Sequence, residues 1–218
     1  LRSVPEQEFL KEGSLTVPSE WSELTARQGV MVLMNDQFMF YLLLSPMSLP
    51  MSIAAYSIIG EKKSRSLEPL LATPLKTWEL LLSKVLVAVV PAAIAGWLSY
   101  FAVVLGIYLV ADSVVFSYLI RPVWLLGMLL LCPLLAAFST LSGVTVSSRM
   151  KDVRAANSVA GVFVLPLIVL SVAVLLGKVI MTTKVILWAS MLIFVLSLLL
   201  LALAIRIFDR ESILIRWS

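Results

Sequence analysis

Five long runs without a single Asp, Glu, Lys or Arg constrain this chain more than any other feature of its sequence. They extend over residues 38–59, 85–110, 123–147, 156–177 and 185–205, and each contains at least 21 residues. About 20 residues of helix cross a hydrocarbon core of ~30 Å, and a helix satisfies its own backbone hydrogen bonds in lipid. The runs lack the alternation of a β-barrel wall. The sequence therefore predicts an all-α, polytopic membrane bundle with five transmembrane helices.

Composition supports this class and excludes others. Of the 218 residues, 61% are hydrophobic and 14% are charged, which is far from the composition of a soluble domain. With no histidine in the chain and no carboxylate inside any run, neither a nucleophile with its base nor a metal site can be assembled at membrane depth. Ion-coupled transporters normally keep an ionisable residue at membrane depth, and the five runs contain none. The net charge of +4 is spread over the connections and indicates no groove for nucleic acid.

The distribution of Lys and Arg predicts the orientation. Residues 60–84, 148–155 and 206–218 together carry eleven of them, whereas residues 1–37, 111–122 and 178–184 carry six. By the positive-inside rule, the first set is cytoplasmic, including the C-terminal tail 206–218, and residues 1–37 lie outside a cell membrane. Residues 1–37 carry no export signal. We therefore expect a sixth, N-terminal transmembrane helix ahead of this chain, and the alternative is a complete protein with five spans.

The sequence divides into an extracytoplasmic segment, residues 1–37, and a transmembrane domain, residues 38–218. In the first, Ser19 is placed to cap a helix in which Trp21, Leu24, Gln28 and Met31 share one face. We expect this amphipathic helix, over residues 19–35, to lie on the outer surface of the bundle.

Prolines and small polar residues interrupt the apolar runs. The prolines at positions 46, 50, 91, 133 and 166 each remove a backbone hydrogen bond and predict kinked helices. Hydroxyl groups on the first and third runs are candidates for a translocation path: Ser48, Ser52, Tyr56, Ser139 and Ser142. Helix packing is the competing interpretation, and for any one of these residues it is the favoured one.

The connection 60–84 is polar, broken by proline and rich in leucine. Ser66 can cap a short helix, which the Thr73–Pro74 step ends after about two turns. Leu67, Leu70 and Leu71 share one face of that helix. The leucine edge rests either on lipid headgroups or on a cytoplasmic partner.

These residues carry a resemblance to a known family. The stretch GEKKSRSLEPLLATPLKTWELLLSK, residues 60–84, resembles the signature of ABC-2 type exporter permeases: a Gly-Glu-Lys start, a Leu-Glu-x-Leu-Leu core, a Thr-Pro step and a closing Lys. SSRMKDVRAANS, residues 147–158, and FDRESILIRW, residues 208–217, are similar to two further stretches of the family. The resemblance covers about residues 31–218. The chain departs from the family pattern in lacking the usual first span and in having Ser-Arg-Ser at 64–66, where an acidic residue and Arg-Gly-Thr are commoner.

The resemblance implies that 60–84 is a coupling region that docks on a cytoplasmic ATPase. The implied coupling residues are Glu61, Lys62, Lys63, Leu67, Glu68, Leu70, Leu71 and Pro74. Because the sequence contains no phosphate-binding loop, the chain is expected not to be an enzyme, and ATP and Mg belong to the partner subunit. The family also implies a second permease subunit, identical or different.

Two other classes of function compete with an exporter permease. One is a membrane scaffold or assembly factor that uses the same connection for docking. The other is a secondary transporter or channel that needs no ATP. Apolar spans with scattered hydroxyls are compatible with drugs, lipids, peptides or ions, so the sequence leaves the substrate open.

Overall fold

The computed structural model describes residues 26–64, 77–110, 120–150, 152–162, 165–175 and 181–207, together with Phe116. Every regular element within these ranges is helical. The all-α membrane bundle that the sequence predicts is therefore confirmed.

The helices follow the apolar runs closely. We number them α1 (Ala26–Leu44), α2 (Ser48–Lys63), α3 (Thr77–Val110), α4 (Pro122–Leu126), α5 (Cys132–Ser147), α6 (Val153–Gly161), α7 (Leu165–Leu175) and α8 (Thr183–Ile207). A 3₁₀ turn, Ser45–Met47, joins α1 to α2, and a π-helical turn, Gly127–Leu131, joins α4 to α5.

Four helical stretches are long and apolar enough to cross a membrane: Met34–Glu61, Thr77–Leu109, Pro122–Ser147 and Thr183–Ile207. They correspond to four of the five predicted spans. The remaining run, 156–177, is divided between α6 and α7, with residues 163, 164, 176 and 177 outside the described ranges. A count of five therefore stays a prediction.

The predicted surface helix at residues 19–35 takes a different form where it is described. Residues 26–35 are helical, but they are the first turns of α1, which continues into the first span. Residues 19–25 lie outside the described ranges. The helix can continue through Asp36 because this buried carboxylate is neutralised by Arg121, so the polar position does not have to stay in water.

Two ion pairs mark opposite ends of the bundle, which we call the Asp36 end and the Glu61 end. At the Asp36 end, Asp36 on α1 pairs with Arg121, which precedes α4. At the Glu61 end, Glu61 near the end of α2 pairs with Lys84 on α3. The prediction that residues 60–84 and 148–155 share one face is confirmed for their described parts, because Ile59 clusters with Ala156 and Met150.

The C-terminal part of α8 also lies at the Glu61 end. Ala204 belongs to a buried cluster with Ile58 and Leu81, which come from the two helices on either side of the connection 60–84. The described parts of 60–64, 148–156 and 204–207 therefore gather at one end of the bundle, as the charge distribution predicts, whereas residues 208–218 of the predicted cytoplasmic tail lie outside the described ranges.

Helix breaks in the first and third spans are bridged by side chains. The indole Nε1 of Trp97 donates to the carbonyl oxygen of Met128, 2.7 Å away, within the π-helical turn. The hydroxyl of Ser139 donates to the carbonyl oxygen of Met47 at the 3₁₀ turn. Such bonds supply partners that lipid cannot offer. Pro46 lies in this turn, whereas Pro91 lies inside α3 without ending it.

The helix α5 is the centre of the bundle, and its closest neighbour is α2. A Cβ atom added at Gly143 would lie 2.7 Å from the carbonyl oxygen of Met51 and 3.3 Å from the Cβ of Ala54. No side chain fits between these backbones, so the close approach of α2 and α5 requires glycine at this position.

We predict that Gly143→Ala lowers the stability of the bundle by about 1–3 kcal/mol, because the added methyl group forces the α2 backbone away. The matched control is Gly106→Ala in α3, where an added Cβ meets nothing within 4 Å. The control should keep its stability or gain about 0.5–1 kcal/mol from better helix propensity. Melting temperatures of the purified variants in one detergent measure the difference, and equal melting would contradict the packing described here.

Candidate functional site

The base of the connection 60–84 is held by a polar cluster between α2 and α3. The ammonium group of Lys84 pairs with the carboxylate of Glu61. The hydroxyl of Ser57 donates to Glu61 Oε1 at 3.1 Å, and Lys84 Nζ lies 3.4 Å from the same hydroxyl oxygen. The cluster therefore joins the two helices that carry the connection.

The Glu61–Lys84 pair is shielded from solvent more than an ordinary surface pair. The side chains of Lys84 and Glu61 are 15% and 28% exposed. Ile58, which precedes Glu61 by three residues, and Leu81, which precedes Lys84 by three residues, are fully buried in one hydrophobic cluster. Partial burial strengthens the attraction between the two charges and also adds a desolvation cost, so removing one partner should cost more than the ~0–1 kcal/mol typical of an exposed pair.

Local sequence explains where α2 ends. The backbone N–H of Ser64 and its hydroxyl both donate to the carbonyl oxygen of Gly60, each at 3.0 Å. This satisfies one of the carbonyl groups that the end of a helix leaves without a partner. The helix thus ends at Lys63, two residues beyond Glu61, whose carboxylate reaches Lys84 on α3.

The structure describes three of the predicted coupling residues. Glu61 lies in the ion pair, and Lys62 and Lys63 are the last residues of α2. The prediction that residues 77–84 continue into the next span as one helix is confirmed by α3. The remaining coupling residues lie outside the described ranges: Leu67, Glu68, Leu70, Leu71 and Pro74.

The candidate path residues fall into two groups that do not share a surface. On α2, Ser48 and Tyr56 are exposed and Ser52 between them is half-buried, so they form an outward-facing stripe at intervals of four residues. On α5, Ser139 and Ser142 are fully buried. Ser142 donates to its own helix at the carbonyl oxygen of Phe138, 2.8 Å away, and Ser139 donates to Met47.

Sequence reasoning missed a second charged cluster, at the Asp36 end. Asp36 is 6% exposed, pairs with Arg121, and accepts a hydrogen bond from Trp124 Nε1 at 3.0 Å. The sequence does contain a signal for this pair. Asp36 and Arg121 each precede an apolar run by two residues, and the two runs are predicted to begin on the same side of the membrane. Next to Asp36, Gln37 is also buried. Within the described ranges, no three His, Cys, Asp or Glu side chains are grouped to hold a metal ion.

Comparison with known proteins gives a family match. The model of a family described as "ABC-2 family transporter protein" matches residues 2–213. No curated protein and no solved structure matches the chain.

We predict that Glu61 and Lys84 act as one unit in stability. Glu61→Gln and Lys84→Met should each lower the melting temperature by about 4–8 °C, because either change leaves a shielded charge unpaired. The double variant should lose no more than either single variant. Lys184→Met, at an exposed position at the start of α8, is the control and should leave melting unchanged. Losses that simply add in the double variant would show that the pair carries no coupling.

Proposed function

Because the chain belongs to the ABC-2 transporter family, in which it is a multi-pass transmembrane permease, we propose that it is the permease subunit of an ATP-driven exporter. The energy comes from ATP hydrolysed by a separate cytoplasmic subunit. The observation that carries the proposal is the shielded Glu61–Lys84 pair, which fixes the two helices on either side of the predicted coupling region.

ATP and Mg are assigned to the partner subunit. The chain contains no G-x-x-x-x-G-K-[ST] loop that could hold the phosphates of a nucleotide. An exporter built on this chain therefore needs an ATPase that docks from the cytoplasm, and the connection 60–84 is the surface we assign to it.

The orientation follows from charge. Arg149, Arg154 and Arg206 are exposed, and they belong to segments that lie with residues 60–64 at the Glu61 end. Cytoplasmic connections are enriched in Lys and Arg, which supports a cytoplasmic Glu61 end. In this orientation residues 1–37 are outside and the C-terminal tail is inside.

The proposed mechanism passes movement from the ATPase to the spans. Leu67, Leu70 and Leu71 fill a groove on the ATPase, so closure of the ATPase dimer displaces the connection. The displacement reaches α2 and α3 together, because the Glu61–Lys84 pair and the buried cluster that contains Ile58 and Leu81 hold the two helices in fixed positions relative to each other. The tight approach of α2 to α5 carries the movement into the centre of the bundle.

We assign the outward stripe of α2, formed by Ser48, Ser52 and Tyr56, to the face of a second permease subunit. The hydroxyls of Ser48 and Ser52 donate to the carbonyl oxygens of Ser45 and Ser48, at 3.2 and 3.3 Å, so the support for this face is its exposure, with Tyr56 70% exposed, rather than an unmet hydrogen bond. A second subunit facing this stripe would give the hydroxyls either helix contacts or a polar path between subunits. The bonds of Ser139 and Ser142 favour the helix-packing interpretation for those two residues.

We predict that Leu70→Asp separates the permease from its ATPase. A carboxylate placed in a buried apolar interface costs several kcal/mol, which lowers association by about 100-fold or more. ATP-driven export should disappear, while the melting temperature of the bundle stays nearly unchanged because few contacts within the chain are lost. The measurement is the amount of ATPase that co-purifies from native membrane with each variant at matched expression.

The matched control is Ala72→Asp, which adds the same charge about 140° around the expected short helix from Leu67. It should leave ATPase recovery close to that of the unchanged chain. Equal recovery with Leu70→Asp and with the unchanged chain would defeat the docking assignment and favour a connection that rests on lipid. Recovery of a partner without any ATPase activity would favour the scaffold.

A further inference from the structure

The first and third membrane-spanning stretches are each divided by a turn that is not α-helical. In the first stretch, the 3₁₀ turn Ser45–Met47 separates α1 from α2, and in the third, the π-helical turn Gly127–Leu131 separates α4 from α5. Such interruptions often mark hinges or functional sites. By contrast, α3 continues from Thr77 to Val110 as one α-helix. The first and third stretches therefore each consist of two segments that can change their mutual angle.

The two turns lie side by side in the bundle. At 1.5 Å per residue, Ser45 is about 14 Å along α1 from Asp36, and Gly127 is about 9 Å along the chain from Arg121. Both turns therefore lie at a similar depth below the same ion pair. A Cβ atom added at Gly127 would lie 3.8 Å from Cδ2 of Leu43, so the end of α1 contacts the start of the π-helical turn. Rotations of α1 and of α4 would thus take place about neighbouring points.

The segments on the two sides of these turns are held by different contacts. Toward the Glu61 end, Gly143 brings α5 into backbone contact with Met51 on α2, and such an interface has little room to deform. Toward the Asp36 end, the carboxylate of Asp36 accepts hydrogen bonds from Arg121 and from Trp124 Nε1. A buried ion pair gains little net stability after its desolvation cost, but losing one partner is costly. The contact at the Asp36 end therefore depends on both of its charges, whereas the contact of α2 with α5 depends on shape.

Apolar packing between α1 and α4 does not set the angle between them. Met39 and Phe40 of α1 lie in one buried cluster with Trp124 of α4. The hydrophobic effect is non-directional, whereas the hydrogen bonds to the Asp36 carboxylate need a defined geometry. The polar cluster is therefore the contact that selects one angle between the two segments.

A buried polar group next to this cluster is not satisfied. Gln37, which follows Asp36 in α1, is 7% exposed, and neither atom of its amide group has a hydrogen-bond partner among the residues that the structure describes. A buried amide without a partner costs free energy. The arrangement in which α1 and α4 are held together carries this cost, and an arrangement that admits water at the Asp36 end would remove it.

We propose that Asp36, Arg121 and Trp124 form a latch that holds α1 against α4. Its release lets these two segments part about the 3₁₀ and π-helical turns, while α2 and α5 stay together. Gln37 shifts the equilibrium toward the released arrangement, because its amide gains hydrogen bonds to water there. The proposal concerns an equilibrium within this chain alone, so it does not rest on ATP-driven export, and the latch lies at the end of the bundle opposite the connection 60–84.

The chain carries a natural reporter of this movement. Cys132, the single cysteine of the sequence, directly follows the π-helical turn and is fully buried. A Cβ atom added at Gly96 of α3 would lie 2.9 Å from Cys132 Sγ and 3.2 Å from Cγ of Pro46 in the 3₁₀ turn. The thiol therefore lies beside both turns, and parting of α1 and α4 would open a path to it from the Asp36 end.

The test is the rate at which Cys132 reacts with a water-soluble methanethiosulfonate reagent in the purified full chain, in detergent and well below the melting temperature. Asp36→Asn removes the carboxylate partner of Arg121 and should speed up labelling by about tenfold or more. Glu61→Gln breaks the ion pair at the other end and is the matched control, which should melt earlier but label at the unchanged rate. Equal acceleration in the two variants would mean that general loosening exposes the thiol and would overturn the proposal, as would an unchanged rate in Asp36→Asn.

A second variant acts in the opposite direction and does not depend on how Asp36→Asn folds. Gln37→Met replaces the amide by an apolar side chain of nearly the same length, which removes the cost of burying the amide in the latched arrangement. Labelling of Cys132 should become slower by about fivefold or more. The melting temperature should not fall, because the amide has no bond to lose in the described part of the protein. A labelling rate equal to or above that of the unchanged chain would contradict the proposal.

Discussion

A bilayer offers no hydrogen-bond partner to a polar group, and the rest of this structure depends on how the chain meets that constraint. The buried hydroxyls of Thr140, Ser142, Ser190 and Ser197 each donate to a carbonyl group one turn earlier in the same helix. Where the first and third spans depart from α-helical geometry, Ser139 and Trp97 bond to the backbone at the breaks. Prolines and a π-helical turn are therefore compatible with membrane depth here, because side chains from neighbouring helices bond at the interruptions.

Because of the same constraint, these charged side chains lie at the two ends of the bundle, where they form ion pairs. Asp36 meets Arg121 and Glu61 meets Lys84, so each pair connects helices that are neighbours in space. A paired charge can sit closer to the hydrocarbon than a free one, since each partner neutralises the other. Each pair thus holds two helices together, and the pair at the Glu61 end lies beside the connection that we propose as the docking surface.

Sequence patterns predicted the elements of this fold better than their connections. Runs without charge located four spans, and the distribution of Lys and Arg predicted a shared end for residues 60–84, 148–155 and 206–218, which the structure supports for their described parts, because both signals are local or additive. The Asp36–Arg121 and Glu61–Lys84 pairs join residues 85 and 23 positions apart, and pairing at that range depends on helix packing. The continuity of α1 through Asp36 was missed for the same reason. The short leucine helix and the count of five spans stay predictions.

Packing differs between parts of the bundle, and this difference bears on which helices can move together. Toward the Glu61 end, small residues such as Ala54, Ala55 and Gly143 bring α2 and α5 into backbone contact, and such an interface has little room to deform. The third span is the most buried of the four, with 61% of its apolar window inside the protein, whereas the corresponding share for α8 is 22%. Along α8, larger side chains line an open apolar groove. In the mechanism that we propose, movement applied at the connection 60–84 would therefore pass through α2, α3 and α5 as a stiff unit.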